Sequence, residues 1–109
     1  MWILQSAEPD PSPLTFRVQP GGVKTVGRAA RADFILEAPL VSRLHCRIEA
    51  GDDSLEVIDL KSTNGTFVND ERITRARLTI GDRLRVGRVE LKVERTTGSD
   101  PDDVTGVGV

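Results

Sequence analysis

Two short polar stretches, Val41-Ser42-Arg43-Leu44-His45 and Ser62-Thr63-Asn64-Gly65-Thr66, are the most informative parts of this chain for its fold. Each lies between apolar segments with the alternating pattern of β-strands, and Gly27-Arg28 follows a third segment of that kind. Glycine and asparagine tolerate the positive φ angles of tight turns, so these stretches are predicted to be loops between strands. We expect the three loops to meet at one end of a β-sandwich.

Short alternating segments recur along most of the chain, and turn residues separate them. In the segment 14–18, apolar residues occupy every second position, as in a half-buried strand. No segment shows a sustained 3.6-residue periodicity, so helices are not predicted. The predicted strands are 1–4, 14–18, 23–26, 33–36, 45–50, 54–60, 66–68, 71–73, 77–80, 83–86 and 89–93. Roughly ten short strands at this spacing are typical of an all-β sandwich or barrel.

The length of 109 residues favours a single domain, which at this size buries a core without metals or several disulfides. The formal net charge is −2, but Asp100, Asp102 and Asp103 lie in the segment 96–109, so residues 1–95 carry +1. This balance argues against a general nucleic-acid binder. We predict a folded domain over residues 1–95. An acidic, disordered tail is predicted over residues 96–109, which are rich in Gly, Asp, Ser and Thr.

Cysteine and histidine are too few for a metal cluster, since Cys46 and His45 are the only residues of their types. A single cysteine excludes an intramolecular disulfide. His45 and Cys46 cannot bind one metal ion together, because adjacent residues of a strand point to opposite faces. We therefore predict no metal site and no cofactor. No apolar run reaches the length of a transmembrane helix, and the N-terminus lacks the pattern of a secretion signal. We predict a cytoplasmic protein, or a module on the cytosolic side of a larger one, without membrane partners.

The three predicted loops carry side chains that suit a phosphate group. Arg28 directly follows a strand, Ser42 and Arg43 lie in the second loop, and Thr63 and Asn64 lie in the third. Arginine forks match phosphate oxygens, and hydroxyl, amide and backbone N–H groups complete the shell. Each residue alone has an ordinary interpretation, as a turn residue or a solvated surface charge. Together, without acids or metal ligands beside them, they indicate a site that binds a phosphate and does not cleave it.

A catalytic alternative rests on Ser42, His45 and Asp59, which would act as nucleophile, base and orienting acid. However, no nucleophile-elbow sequence surrounds Ser42. His45 begins an apolar-patterned strand, where a buried histidine that hydrogen-bonds a loop is the commoner role. We therefore predict no catalytic residues, and no enzyme activity.

The order and spacing of these motifs resemble the forkhead-associated (FHA) domain family, whose pattern is Gly-Arg, Ser-x-x-His and Asn-Gly. The residues that carry the resemblance are Gly27-Arg28, Ser42-Arg43-Leu44-His45, Ser62-Thr63-Asn64-Gly65-Thr66-Phe67-Val68-Asn69, Asp33-Phe34-Ile35-Leu36, and Leu78, Gly81, Asp82, Leu84, Val86 and Gly87 of a closing segment. The resemblance covers residues 1–95. Each motif is weak alone, whereas all of them in register are specific.

The resemblance implies a β-sandwich of about eleven mostly antiparallel strands with the binding loops at one end. It further implies recognition of phosphothreonine in an extended peptide. Arg28 and Ser42 would bind the phosphate, with Thr63 in the same shell. Arg43 would add a second charge, and Asn64 would hold the main chain of the ligand.

The resemblance also implies three supporting positions. Gly27 would shape the turn before Arg28, His45 would hold the loop that carries Ser42, and Gly65 would set the turn of Asn64. No motif position departs from the family pattern. The expected partner is therefore a protein that carries phosphothreonine, as a substrate of a Ser/Thr kinase. The alternative is a phosphate-independent interaction or dimerisation module on the same fold.

Ligand preference stays open at the third position after the phosphothreonine, where this family often discriminates. Leu40 would favour an apolar residue there, whereas Arg31 or Arg43 would favour an acid. The tail offers a further candidate ligand, because Thr97 has an acid three residues later. If phosphorylated, Thr97 would occupy the pocket of its own chain or of a neighbouring molecule.

Overall fold

The computed structural model describes residues 1–6 and 14–96, which form eleven β-strands. In chain order they are β1 (Trp2–Ser6), β2 (Thr15–Val18), β3 (Val23–Gly27), β4 (Phe34–Ile35), β5 (Cys46–Ala50), β6 (Leu55–Asp59), β7 (Thr66–Val68), β8 (Glu71–Ile73), β9 (Arg75–Leu78), β10 (Arg83–Val86) and β11 (Val89–Arg95). Every segment that the sequence predicts as a strand is a strand, with limits shifted by two residues at most. The prediction of an all-β fold is confirmed.

The strands form two sheets that pack into a sandwich. One sheet has six strands in the order β2-β1-β11-β10-β7-β8, and the other has five in the order β4-β3-β5-β6-β9. Neighbouring strands are antiparallel except β3 and β4, which run parallel. The mostly antiparallel sandwich implied by the family resemblance is thereby confirmed.

The core lies between the sheets because alternate residues of each strand face inward. In β5, Cys46, Ile48 and Ala50 are buried, while Arg47 and Glu49 between them are partly exposed. The same alternation buries leucine and valine side chains of β6, β10 and β11. Each such side chain stabilises the fold by roughly 1.5–3 kcal/mol when fully buried. The packed core therefore holds the strand ends, and the loops that join them, in fixed positions.

Strand directions bring the predicted loops to one end of the sandwich. β3 and β4 both finish there, β5 starts there because it is antiparallel to β3, and β6 finishes there in turn. The turn between β10 and β11 reaches the same end, since Val86 pairs with Thr66 at the start of β7. At the opposite end, the Thr96 amide donates to the Met1 carbonyl at 3.0 Å.

β9 is the strand whose position differs most from its prediction, because both of its limits lie two residues earlier. The alternation of Leu78 and Ile80 suggested one continuous strand, but Ile80 is 59% exposed. A turn replaces the strand there. The Thr79 amide donates to the Asp82 carboxylate at 2.8 Å, and the Asp82 amide donates to the Thr79 carbonyl at 3.0 Å. These bonds withdraw Thr79 from the sheet.

The predicted tail, residues 96–109, lies outside the described residues except for Thr96. The domain limits over residues 1–95 and 96–109 therefore stay a prediction. Within residues 1–6 and 14–96, no helix is long and apolar enough to cross a membrane. The same residues contain no group of three side chains that could hold a metal ion.

Candidate functional site

Backbone hydrogen bonds join the loop after β3 to the loop between β4 and β5. The Arg28 amide donates to the Ser42 carbonyl and the Ala29 amide donates to the Arg43 carbonyl, each at 3.0 Å. The His45 amide donates to the Val26 carbonyl at 2.8 Å. These bonds continue the antiparallel pairing of β3 and β5 beyond the sheet. Arg28 and Ser42 are therefore neighbours because of the backbone, without help from their side chains.

Gly27 makes this close approach possible. A Cβ atom at this position would lie 2.1 Å from the Arg43 carbonyl oxygen and 2.9 Å from the Leu44 Cα. Real Cβ atoms do not approach backbone that closely, so any side chain would push the second loop away. Glycine is thus required here by contact with the Ser42 loop.

His45 is completely buried and joins two loops through its ring. Nδ1 accepts a hydrogen bond from the Ser42 amide at 3.0 Å, and Nε2 lies 2.8 Å from the Gly65 carbonyl oxygen. Because Nδ1 accepts, the ring proton is on Nε2, which donates to Gly65. A neutral imidazole therefore links the Ser42 loop to the turn that follows Asn64.

Asp59 organises the third loop, a role that the sequence did not suggest. Its carboxylate accepts hydrogen bonds from the Ser62 hydroxyl at 2.6 Å, the Thr66 hydroxyl at 2.7 Å and the Ser62 amide at 3.2 Å. The Ser62 hydroxyl in turn accepts from the Gly65 amide at 3.0 Å. Burial acts to raise the pKa of Asp59, but the hydrogen bonds from Ser62 and Thr66 outweigh it and hold that pKa below its usual value.

The three loops enclose an open cleft of about 720 Å³. Four of the five residues predicted to face a ligand line this cleft. The lining residues are Arg28, Glu37, Ala38, Pro39, Leu40, Val41, Ser42, Thr63 and Asn64. The structure therefore brings Arg28, Ser42, Thr63 and Asn64 together from three separate loops.

Arg28 and Ser42 present hydrogen-bond donors toward the cleft. The Arg28 Nε donates to the Val41 carbonyl at 3.1 Å, which orients an otherwise exposed guanidinium. Its terminal Nη groups have no hydrogen-bond partner among the described residues. The Ser42 hydroxyl accepts from the Thr63 amide at 3.1 Å and keeps its own proton available to a ligand. The site can thus donate to an anion without first breaking an internal bond.

Asn64 is engaged within the cleft. Its side-chain amide donates to the Leu40 carbonyl at 3.2 Å. Leu40 has a φ of 71°, a left-handed conformation that costs a residue with a side chain about 1–2 kcal/mol. Asn64 therefore stabilises a strained point of the cleft wall in addition to any contact with a ligand.

Gly87, in the turn between β10 and β11, supports the same wall from the other sheet. A Cβ there would lie 2.8 Å from Val41 Cγ2 and 2.9 Å from the Pro39 carbonyl oxygen, and its φ is +62°. The family pattern contains this glycine, but the sequence gives no sign that it touches the cleft. Contact between two distant loops becomes visible only in the folded chain.

Arg43 and Arg31 are placed differently from Arg28. Both side chains are exposed, and neither is among the residues that line the cleft. Arg43 contributes its carbonyl to the loop contact with Ala29, while its side chain does not line the cleft. Arg43 is therefore the one predicted ligand residue that the structure does not bring into the cleft.

The geometry does not support a catalytic relay among Ser42, His45 and Asp59. The bond between Ser42 and His45 involves the serine amide, whereas the serine hydroxyl accepts from Thr63. The far nitrogen of His45 bonds Gly65 and not the Asp59 carboxylate. Cys46 is not a reactive alternative, because burial raises the pKa of its thiol to about 12.

Comparison with known proteins places the chain among FHA domains by sequence and by structure. The family model described as FHA domain matches residues 24–87. The oxoglutarate dehydrogenase inhibitor of Corynebacterium diphtheriae is 39% identical over 67 residues, which cover 62% of this chain and 47% of that protein. The chain spans less than half the length of the curated relatives it matches.

Solved structures of similar fold include the FhaA FHA domain in complex with the intracellular domain of a second protein. It is 34% identical with a TM-score of 0.78, and the match covers 86% of this chain and 100% of that one. A structure from a study of phosphothreonine-dependent FHA domain interactions is 31% identical with a TM-score of 0.76. That match covers 88% of this chain and 97% of the other.

Proposed function

This chain belongs to the FHA domain family, and we propose that its cleft binds phosphothreonine in an extended segment of a partner protein. The observation that carries the proposal is the convergence of Arg28, Ser42, Thr63 and Asn64 on one open cleft. They supply a guanidinium, hydroxyls and an amide. The cleft thus has the donors that a phosphate and a peptide main chain require.

The chemistry of the ligand agrees with this set of donors. A phosphothreonine carries roughly −1.5 to −2 charges at neutral pH and has three acceptor oxygens. Hydrogen bonds to a charged group contribute on the order of 1.5–3 kcal/mol each. Three or four of them, less the cost of ordering the peptide, correspond to a dissociation constant on the order of micromolar. Such an affinity suits reversible signalling.

The similar proteins support a regulatory role without catalysis. One solved relative concerns phosphothreonine-dependent interactions, another is bound to an intracellular domain, and a curated relative is an enzyme inhibitor. We therefore infer a signalling module whose partner is a phosphorylated protein in the cytoplasm. The chain spans less than half the length of these curated relatives. The choice of partner is therefore a property of the whole protein.

Arg28→Ala is predicted to abolish measurable binding to a phosphothreonine peptide with little change in the thermal unfolding temperature. The guanidinium is exposed and makes a single hydrogen bond within the described residues, from Nε to the Val41 carbonyl, which leaves its terminal groups for a ligand. Fluorescence polarisation with a labelled peptide library measures the binding. Arg17→Ala is the control, because Arg17 is an exposed arginine of β2 and does not line the cleft. It should bind as the unmodified protein does.

Peptides with phosphothreonine, phosphoserine and threonine at one position separate this proposal from its alternative. Binding only to the phosphorylated peptides supports the phosphate site. Equal binding of the three peptides, unaffected by Arg28→Ala, would contradict it and favour a phosphate-independent interaction module.

The predicted self-association through Thr97 concerns a residue outside the described part of the chain. Thr96, which precedes it, lies at the end of the sandwich opposite the cleft. β11 alone has seven residues, or roughly 20 Å at about 3.3 Å per residue. This separation favours a neighbouring molecule over the same chain as the acceptor of a phosphorylated Thr97.

A further inference from the structure

Within residues 1–6 and 14–96, Glu37 is the only acidic residue that lines the cleft, and its side chain is exposed. Among the described residues it forms no ion pair, although seven other carboxylate–cation contacts occur. A carboxylate is unexpected where a phosphate is to be bound, because like charges repel. Its presence therefore restricts which phosphorylated ligands fit.

Glu37 and Arg28 line the same cleft from the ends of two paired strands. β3 and β4 run parallel with Gly27 opposite Ile35, and the Leu36 amide donates to the Gly27 carbonyl at 2.8 Å. Arg28 directly follows β3, and Glu37 follows β4 by two residues, so both lie in the loops that form the cleft. A phosphate held by Arg28 would share this cleft with the Glu37 carboxylate.

The other charges of the loops do not already neutralise Glu37. Arg31, Arg43 and Lys61 are exposed in the surrounding loops and do not line the cleft. Asp33, the remaining acid of these loops, accepts hydrogen bonds from the amide and the hydroxyl of Thr25 at 2.8 and 3.0 Å. The cleft therefore has a positive site for phosphate and a separate negative site beside it.

We propose that the cleft selects phosphothreonine peptides with a lysine or arginine within about three residues of the phosphothreonine, paired with Glu37. The inference rests on the proposed function and names the class of peptide that serves it. A cationic side chain there offsets the repulsion between phosphate and carboxylate and forms an ion pair of its own. The apolar stem of that side chain can lie on Leu40, which is 46% exposed.

The test is a scan in which lysine replaces alanine at each position in turn around a phosphothreonine in an otherwise neutral peptide. At one or more positions, lysine should raise the affinity about two- to fivefold, as expected of an exposed ion pair. The gain should shrink at high salt, because salt screens exposed charges. In Glu37→Gln, the lysine and alanine peptides should bind alike.

Glu71→Gln is the matched control, because Glu71 is an exposed acid of β8, at the far end of its pairing with β7. It should keep the lysine preference. The inference is overturned if no position favours lysine or if the preference survives in Glu37→Gln. It is also overturned if Glu37→Gln strengthens lysine and alanine peptides equally, since Glu37 would then only repel phosphate. Failure of every phosphothreonine peptide to bind would overturn the proposed function itself.

Discussion

Polar residues of this site either line the cleft or support its loops, and the two groups differ in how far they are buried. Arg28 and Thr63 are exposed and line the cleft, whereas His45 and Thr66 are fully buried. An exposed side chain that lines a cleft can be lost at little cost to folding. A buried polar side chain cannot, because its removal leaves its hydrogen-bond partners unsatisfied.

His45→Ala is predicted to lower the free energy of unfolding by about 2–4 kcal/mol, from two unsatisfied partners and a small cavity. The Ser42 amide loses its acceptor and the Gly65 carbonyl loses its donor. Binding should weaken as well, because the Ser42 loop is released. Urea unfolding, followed by the fluorescence of Trp2, the single tryptophan, measures the stability.

Arg28→Ala provides the contrast for this experiment, since it removes an exposed side chain with one hydrogen bond and should leave the unfolding midpoint nearly unchanged. If His45→Ala unfolded at the same urea concentration as the unmodified protein, His45 would not be the link between the two loops.

For single residues, the motif pattern predicted the four that converge on the cleft, together with Arg43, which does not, but it did not predict how each is held. The convergence of Arg28, Ser42 and Asn64 followed from the positions of their loops. The sequence suggests Asp59 only as a catalytic partner of His45, yet its carboxylate holds the third loop through Ser62. A short-range hydrogen-bond network of this kind leaves no periodic trace in a sequence.

Among the elements, the turn between β10 and β11 couples one sheet to the cleft formed by loops of the other. Gly87 in this turn packs against the backbone of Pro39 and against Val41. The alternation of apolar residues predicts β10 and β11 from the sequence. The contact of their turn with the cleft depends instead on how the two sheets pack. That packing is non-local, so alternation within one strand cannot reveal it.

Gly87→Ala is predicted to weaken phosphothreonine binding and to destabilise the domain more than Gly81→Ala does. Both glycines have positive φ, so alanine strains the backbone in each case. Only at Gly87 would the new methyl group meet the cleft wall, since Gly81 has nothing within 4 Å of an added Cβ. Overpacking of this kind costs about 1–3 kcal/mol beyond the strain.

Thermal unfolding and peptide titration of the two glycine variants make the comparison directly. Equal losses of stability, together with unchanged peptide affinity in both variants, would mean that the turn does not position the cleft wall.

Across the whole molecule, the sandwich was predictable because most strands alternate between a buried and a more exposed face. Alternation misleads at the end of β9, where the Asp82 turn ends the strand before Ile80. The convergence of loops at one end was also predictable, since antiparallel strands return the chain to the same end. The alternation did not predict that Glu37 lines the cleft. Glu37 follows β4, which has only two residues and so shows no alternation to extend.

Acid is predicted to destabilise the domain, because several carboxyl groups have a lowered pKa in the folded state. The backbone amide and hydroxyl of Thr25 lower the pKa of Asp33, and hydrogen bonding to Arg75 lowers that of Glu56. For Asp59 and Asp82, burial opposes the shift but hydrogen bonds prevail, and the pKa is again lowered. A group whose pKa is lower in the folded state stabilises the fold above its unfolded pKa of about 4. That stabilisation is lost as the pH falls through the folded pKa.

Asp59→Asn tests this prediction at the group that holds the third loop. The variant should be less stable than the unmodified protein near pH 7, and the difference should narrow between about pH 5 and pH 2 as Asp59 becomes protonated in the unmodified chain. Melting temperatures across this range measure both effects. Asp52→Asn is the control for the lost charge, because Asp52 is exposed and its carboxylate accepts no hydrogen bond among the described residues. A stability difference between Asp59→Asn and the unmodified protein that stays constant down to pH 2 would show that the Asp59 charge does not stabilise the loop.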